Sequence, residues 1–443
     1  MKPKPRSNEP QGNFLMPDLT SLLDAKQVIY VLAGKIDWAG LERAFEGHYH
    51  ALGRPALPIR RLVGLLMLKQ LFNLSDERVV EQWSQNPYFQ FFCGETQFQW
   101  GAPCEASELV HFRHRIGPQG GERILAETVR LHGSQTKESE VVVDTTAQPK
   151  NIAFPTDSGL YAKVIAHCTR LARKVGVTLA VDLPEVRQLR MAQGGRRTVA
   201  GRRKARQATR RLKTIARALL RRVRPRVGPR AAWSDLLQRC ERVLKQQRKD
   251  KDKIYSLHEP QVCCLAREKT RTKYEFGSKA AVAVTKRGVI LAAVSFDHGI
   301  HDNYTIEPLL EQIARIATYR PSVLLGDRGF RGRLEFGSTR LLLPHTATAP
   351  LSARQKTQGR TRYRRRAAIE PRIGHLKSDF GLGKNFLKGT PGDELNLLLA
   401  ASASNLRLWC NAFLAALLSF LQLFLRAAES RPRSQLTFRP ITS

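Results

Sequence analysis

The sequence predicts an α/β protein: a mixed sheet with its helices, behind an N-terminal part that is helical throughout. Three observations lead there. From about Ala25 to Gly133 apolar residues recur at helical spacing. Short apolar runs closed by turn residues then alternate with helical stretches, the order expected of a mixed-sheet α/β core. Between the first such run and the others, residues 187–251 carry 23 Lys or Arg against 3 Asp or Glu, on a pattern that is still helical.

Residues 1–25 read as a loose tail, and their lack of an apolar run argues against a secretory signal. Arg60–Phe72 is apolar at 62, 65, 66, 68, 71 and 72, a helix with a wide buried face. Ser75 sits where an N-cap belongs, with Asp76 and Glu77 suiting the dipole of a second helix that runs to about Ser84. The pair fits either a DNA-reading helix-turn-helix or ordinary helical packing. In "SEVVVDTTAQPK", Val141–Val143 is a buried strand that delivers Asp144 at its C-terminal end. In 187–251, Leu212, Ala216, Leu219 and Val223, then Trp233, Leu237, Cys240 and Leu244, mark two amphipathic helices separated by "RPRVGPR".

"AAVAVTKRGVILAAVSFD" is a hairpin about a Lys-Arg-Gly turn, and "NYTIEPLLEQIARIA" is a helix. Val323–Leu325 is a strand ending in Gly326 and Asp327, "TRLLLP" is another, and "RYRRRAAIEPRIGHLK", 362–377, is a helix that Pro371 should kink. "LWCNAFLAALLSFLQLFL", 408–425, is marginal in length for a membrane span and reads as a buried or interface-forming helix.

The formal charge of +36 over 443 residues calls for an anionic partner, nucleic acid first and an anionic membrane surface second. The segment 187–251 is the natural footprint, with Arg202, Arg203, Arg210, Arg211, Arg221 and Arg222 as candidate phosphate contacts. Seven cysteines without a C-x-x-C pair read as reduced core thiols rather than a zinc site or disulfide framework. No P-loop, nucleophile elbow or dinucleotide-binding run is present, so no nucleotide cofactor is expected.

Asp144 and Asp327 each follow a short buried strand, where ligands of α/β sheets tend to bind. Either alone could be a turn residue. Together with Glu370, a lone acid among arginines, they could hold two Mg²⁺ ions about 4 Å apart for phosphoryl transfer. On one helix, Tyr363, Arg366, Glu370 and Lys377 share a face, so arginine and lysine could hold phosphates while the carboxylate holds metal. The plainer alternative is a solvated helix with an internal Glu-Arg pair. His298, His301 and Asp302 in "FDHGIHDN" resemble a small metal cluster, although loop histidines are more often structural. His48 and His50 are weaker candidates still.

The spacing Tyr363, Arg366, Glu370, Lys377 resembles the signature of bacterial insertion-sequence DDE transposases, closest to insertion sequence family five. "GRPALPIRRLVGLLMLKQLFNLSDERVVEQWSQNPYFQFFCG" is similar to that family's N-terminal domain, and "VVVDTTAQPKNIAFPTDSGLY" and "LLGDRGFRG" to the segments around its two catalytic aspartates. The resemblance implies a ribonuclease-H-like core over 136–410 with a basic helical insertion at about 160–260. A DNA-end-binding or assembly domain over 26–135 would precede it, and a C-terminal helix and tail, 411–443, would follow.

It further implies that Asp144, Asp327 and Glu370 are catalytic and hold two Mg²⁺ ions, with Mn²⁺ an acceptable substitute. Tyr363, Arg366 and Lys377 would position DNA. The implied partners are double-stranded element ends and target, bound by a homodimer in the cytoplasm at the nucleoid, with no membrane. Hydrolysis at the element's end would free a 3′-hydroxyl that attacks target DNA. A catalytically silent DNA-binding repressor and a nuclease without strand transfer are the competing functions.

Overall fold

Val141–Val143 and the apolar runs after it pair into one mixed sheet, seen in a computed structural model that describes residues 16–49, 56–179, 181–195, 197–227, 231–247, 249–266, 273–297, 299–344 and 352–429. Its strands among these residues are β1 (Glu140–Pro149), β2 (Cys263–Ala266), β3 (Tyr274–Val284), β4 (Ile290–Phe296), β5 (Val323–Leu325), β6 (Glu335–Phe336) and β7 (Thr339–Leu342). The order is β2-β3-β1-β5-β7-β6, with β4 also on β3. β2 and β4 share one edge of β3 in succession, pairing residues 274–277 and 279–284, and β1 takes the other edge. β1 with β5 and β5 with β7 are parallel; the remaining pairs are antiparallel. Ala280–Val284 and Ile290–Ala293 are buried throughout, which is why these strands read as unbroken apolar runs.

The β3–β4 turn uses Gly288 at φ +87, a conformation that favours glycine. A Cβ there would also meet the Arg372 guanidinium at 2.5 Å.

The N-terminal helices Val28–Lys35, Trp38–Glu46, Ile59–Leu71, Asp76–Gln85, Pro87–Phe92 and Ala106–Arg130 bury their apolar faces in the same cluster as the sheet. Leu65, Leu66 and Leu68 join Val141, Leu324 and Leu398 in it, so helices and sheet share one core. Ser75 caps as the sequence predicts, its Oγ accepting from the Arg78 N–H at 3.1 Å. Part of the expected tail is ordered: Leu19 is fully buried and its N–H donates to the Thr96 carbonyl at 2.7 Å. Residues 1–15 and His50 lie outside the described residues.

The basic stretch forms the helices Leu183–Met191, Val199–Val223 and Ala231–Lys245. With Asp157–Lys174 they close a second apolar cluster around Leu212, Ala216, Leu219, Val223, Cys240 and Leu244. The helical spacing of the apolar residues thus leaves the arginines outside, where charge keeps its water.

The C-terminal helix begins well before residue 408, and its apolar end is exposed rather than buried. One helix, Gly389–Glu429, runs for 41 residues, about 60 Å at 1.5 Å per residue. It is buried through Leu395–Leu406 and then outruns the core, leaving Leu418, Phe420 and Leu423 at 60%, 65% and 65% exposed. Gly389–Leu423 is long and apolar enough to cross a membrane by length and composition. All seven cysteines are free thiols.

Candidate active site

Asp144 lies where the sheet divides. The β1–β5 pairing stops at Val142 and Leu325, while β1 continues against β3 to Pro149. Asp144 is therefore inside a ten-residue strand rather than at the end of a three-residue one. β5 releases its chain at Gly326, and Asp327 turns it: Oδ1 accepts from the Gly329 N–H at 2.8 Å, opening a 3-10 turn anchored by fully buried Phe330. The two aspartates occupy equivalent places on parallel neighbours, two residues past the last pair.

Glu370 comes from the opposite direction. The expected single helix over 362–377 is two helices, Ala353–Ala367 and Ile369–Ser378, joined at Ala368. Pro371 then falls in the first turn of the second helix, where its missing N–H leaves no helical bond unmade. It starts a helix instead of kinking one. Buried Ile369, Ile373 and Leu376 seat this helix, with Glu370 on its outer side.

Arg366 ends the preceding helix among all three acids. Its Nη2 lies 3.6 Å from Asp144 Oδ2 and 3.7 Å from Asp327 Oδ2, and its Nη1 lies 3.7 Å from Glu370 Oε1. Its Nε is buried without a hydrogen-bond partner among the described residues. Arg362, one turn back, pairs with Glu140 at 3.0 Å and pins the helix to the start of β1. So two arginines of the basic run face carboxylates.

Of the other candidates, Lys377 Nζ pairs with Glu275 Oε2 at 3.3 Å. The side chain of Tyr363 lies outside the described residues, as does His298. His301 caps a 3-10 turn, its Nδ1 accepting from the Asn303 N–H at 3.3 Å, and Asp302 pairs with Lys279. His301 and Asp302 thus take part in local hydrogen bonding and ion pairing, the structural role that loop histidines more often have. His48 sits half-buried beside the Phe45 ring. Arg202, Arg203, Arg210, Arg211, Arg221 and Arg222 are all exposed on one helix, with Arg211 paired to Glu185 at 2.7 Å. Beside Lys377 opens a cleft of about 580 Å³, lined in part by Lys69, Asn73, Lys384 and Phe386.

Asp144, Asp327 and Glu370 offer hard oxygen donors, the ligand type that Mg²⁺ and Mn²⁺ prefer. They face a shared cationic group, which suits them to a divalent ion. The guanidinium lies among them, and among the described residues no group of three His, Cys, Asp or Glu is drawn in to metal-binding distance.

Residues 17–115 match the family described as Transposase domain (DUF772), and residues 245–406 match Transposase DDE domain. The second match takes in Asp327 and Glu370 and begins after Asp144. The uncharacterized protein ORF8 in the nfe locus of Rhizobium meliloti is 45% identical over 184 residues, which are 40% of this chain and 88% of that protein. No solved structure matches.

Proposed function

We propose a DNA-cleaving and strand-joining role for this chain, which belongs to the insertion-sequence DDE transposases. The Tyr363, Arg366, Glu370, Lys377 spacing favours insertion sequence family five within them. The reading rests above all on the convergence of Asp144, Asp327 and Glu370 on one guanidinium, at 3.6 to 3.7 Å, from three separate elements.

In this reading the three carboxylates hold two divalent ions, Mg²⁺ or Mn²⁺. When bound, these supply the Lewis acidity that activates water and stabilises the leaving oxygen at a phosphodiester. Asp144 and Asp327 provide the rigid half of the site because each sits at a strand junction. Glu370 provides the adjustable half from the first turn of a helix. Arg366 neutralises the acids before DNA arrives and can then turn to a phosphate, for which its planar fork is suited. The arginines of Val199–Val223 bind duplex phosphates without reading sequence. A homodimer on DNA, in the nucleoid, completes the proposal.

The test uses duplex oligonucleotides carrying the element's ends. Glu370→Gln should reduce cleavage to background while gel-shift affinity stays equal or rises, because one negative charge facing the phosphates is gone. A parallel fall in affinity and cleavage would remove Glu370 from the proposed site. Joined products with the wild-type protein distinguish a transposase from a nuclease that only cuts.

A further inference from the structure

We infer that Asp302 and Asn303 are positioning residues that set the separation of the Asp144 and Asp327 carboxylates. This rests on the reading of those two aspartates as metal-holding groups.

The sheet leaves that separation open. Backbone pairing between β1 and β5 ends at Val142 and Leu325, so no main-chain bond between these strands ties Asp144 to Asp327. The dipeptide supplies the tie on both sides. Asp302 Oδ1 accepts from Thr145 Oγ1 at 3.0 Å. Successive side chains of a strand alternate, so Thr145 is gripped from the face opposite Asp144. On the other side, a Cβ built on Gly329 would lie 2.6 Å from Asp302 Oδ2 and 2.9 Å from Asp327 Oδ1. Without a Cβ at Gly329 the turn of Asp327 closes onto Asp302 with neither carboxylate displaced.

Asn303 holds the rest of that turn. It is 7% exposed, and its amide donates to the Phe330 carbonyl at 2.9 Å and the Arg333 carbonyl at 2.8 Å. Its Oδ1 accepts from the Arg333 N–H at 3.2 Å. Both amide protons and the oxygen are thus used on the loop that follows Asp327.

The dipeptide is itself fixed. It opens directly into the helix Ile306–Ala317, whose Ile306, Leu309, Leu310 and Ile313 are fully buried. A fourth carboxylate so near three others is electrostatically costly, and Lys279 offsets it by pairing with Asp302 while donating to the Ile300 carbonyl at 2.6 Å. The chemistry that needs an acid here is the charge-assisted hold on Thr145 and Lys279.

The experiment titrates the full-length protein with Mn²⁺ alone by calorimetry, for wild type, Asp327→Asn, Asn303→Ala and Thr145→Val, with thermal unfolding and metal-free duplex binding alongside. Wild type should bind Mn²⁺ and Asp327→Asn should lose that binding. Asn303→Ala and Thr145→Val should weaken it on the order of tenfold, as loss of outer-sphere support does. Their metal-free DNA affinity should be unchanged and their cleavage restored at saturating Mn²⁺. Thr145→Val removes only a hydroxyl, so it carries the test if Asn303→Ala does not fold. Wild-type Mn²⁺ affinity in the folded variants would overturn the positioning role and leave the active-site reading standing. Absence of any Asp327-dependent Mn²⁺ binding in wild type would overturn both.

Discussion

Arg366 concentrates three ion pairs on one guanidinium, each longer than a direct hydrogen bond. Its value is therefore the charge it cancels. Removing it leaves three acids facing one another in a site where Asp144 and Arg366 are shielded from water, at 14% and 21% side-chain exposure. Arg366→Gln should lower Tm in chelator, and Mn²⁺ should raise the Tm of the variant more than that of wild type, since a cation then replaces the lost charge. Scanning fluorimetry with and without Mn²⁺ checks this; equal shifts would mean the guanidinium and the metal do not share a place. The sequence marks Arg366 as a phosphate ligand because four arginines in five residues suggest a polyanion surface. Which arginine turns inward is decided by the acids that β1 and β5 bring to it.

Two of the N-terminal helices are tied together by a largely shielded ion pair. Arg113, in Ala106–Arg130, reaches the two oxygens of Asp76 at 2.8 and 2.6 Å at the start of Asp76–Gln85, with Lys69 Nζ at 3.7 Å. Burial pushes the Asp76 carboxyl up, but the paired hydrogen bonds and charge of Arg113, helped by Lys69, hold it below the ordinary range. A carboxyl depressed in the folded state stabilises fully above its unfolded value, about 3.9, and loses that contribution as pH falls through the folded value. Asp76→Asn should cost about 2 kcal/mol at pH 7. The gap between wild type and variant should close in acid, as read by urea denaturation at both pH values. The helix signals behind this pair, Ser75 and the first-turn acids, are legible in sequence. The partner Arg113 is not, since nothing local says which basic residue of a later helix will lie opposite.

Across the whole molecule, the second apolar cluster is joined to the sheet by buried charge. Lys150, at the end of β1, pairs with Glu259 at 3.2 Å and Asp393 at 2.6 Å, all three side chains at most 5% exposed. Glu259 closes the segment that follows the basic helices, and Asp393 opens the buried part of the long C-terminal helix. Lys150→Met should destabilise by about 3–5 kcal/mol because two buried carboxylates lose their cation. A double change with Asp393→Asn should recover part of that loss in the same unfolding assay. The outer charge acts at the same scale. Replacing Arg202, Arg203 and Arg210 with Gln should weaken duplex binding and flatten its salt dependence by up to about 0.9 in slope for each phosphate no longer neutralised. An unchanged slope would take Val199–Val223 out of the DNA interface.

Periodicity and composition determined, without any structure, the N-terminal helices, the hairpin, the strand at Val323–Leu325, the amphipathic basic helices and the place of the excess charge. These depend on near neighbours along the chain, where helical and strand spacing sort apolar from polar faces. Tertiary structure decided what distance along the chain conceals. Pairing of residues 140–142 with 323–325 sets the two aspartates side by side, and a helix break at Ala368 turns Glu370 toward them. Asp302 accepts a hydrogen bond from Thr145, beside the first aspartate, and Asn303 donates one to the turn that follows the second. It also decided that the last apolar helix would outrun its core: sequence measures how apolar a helix is, and only the packed molecule says how much surface remains to cover it.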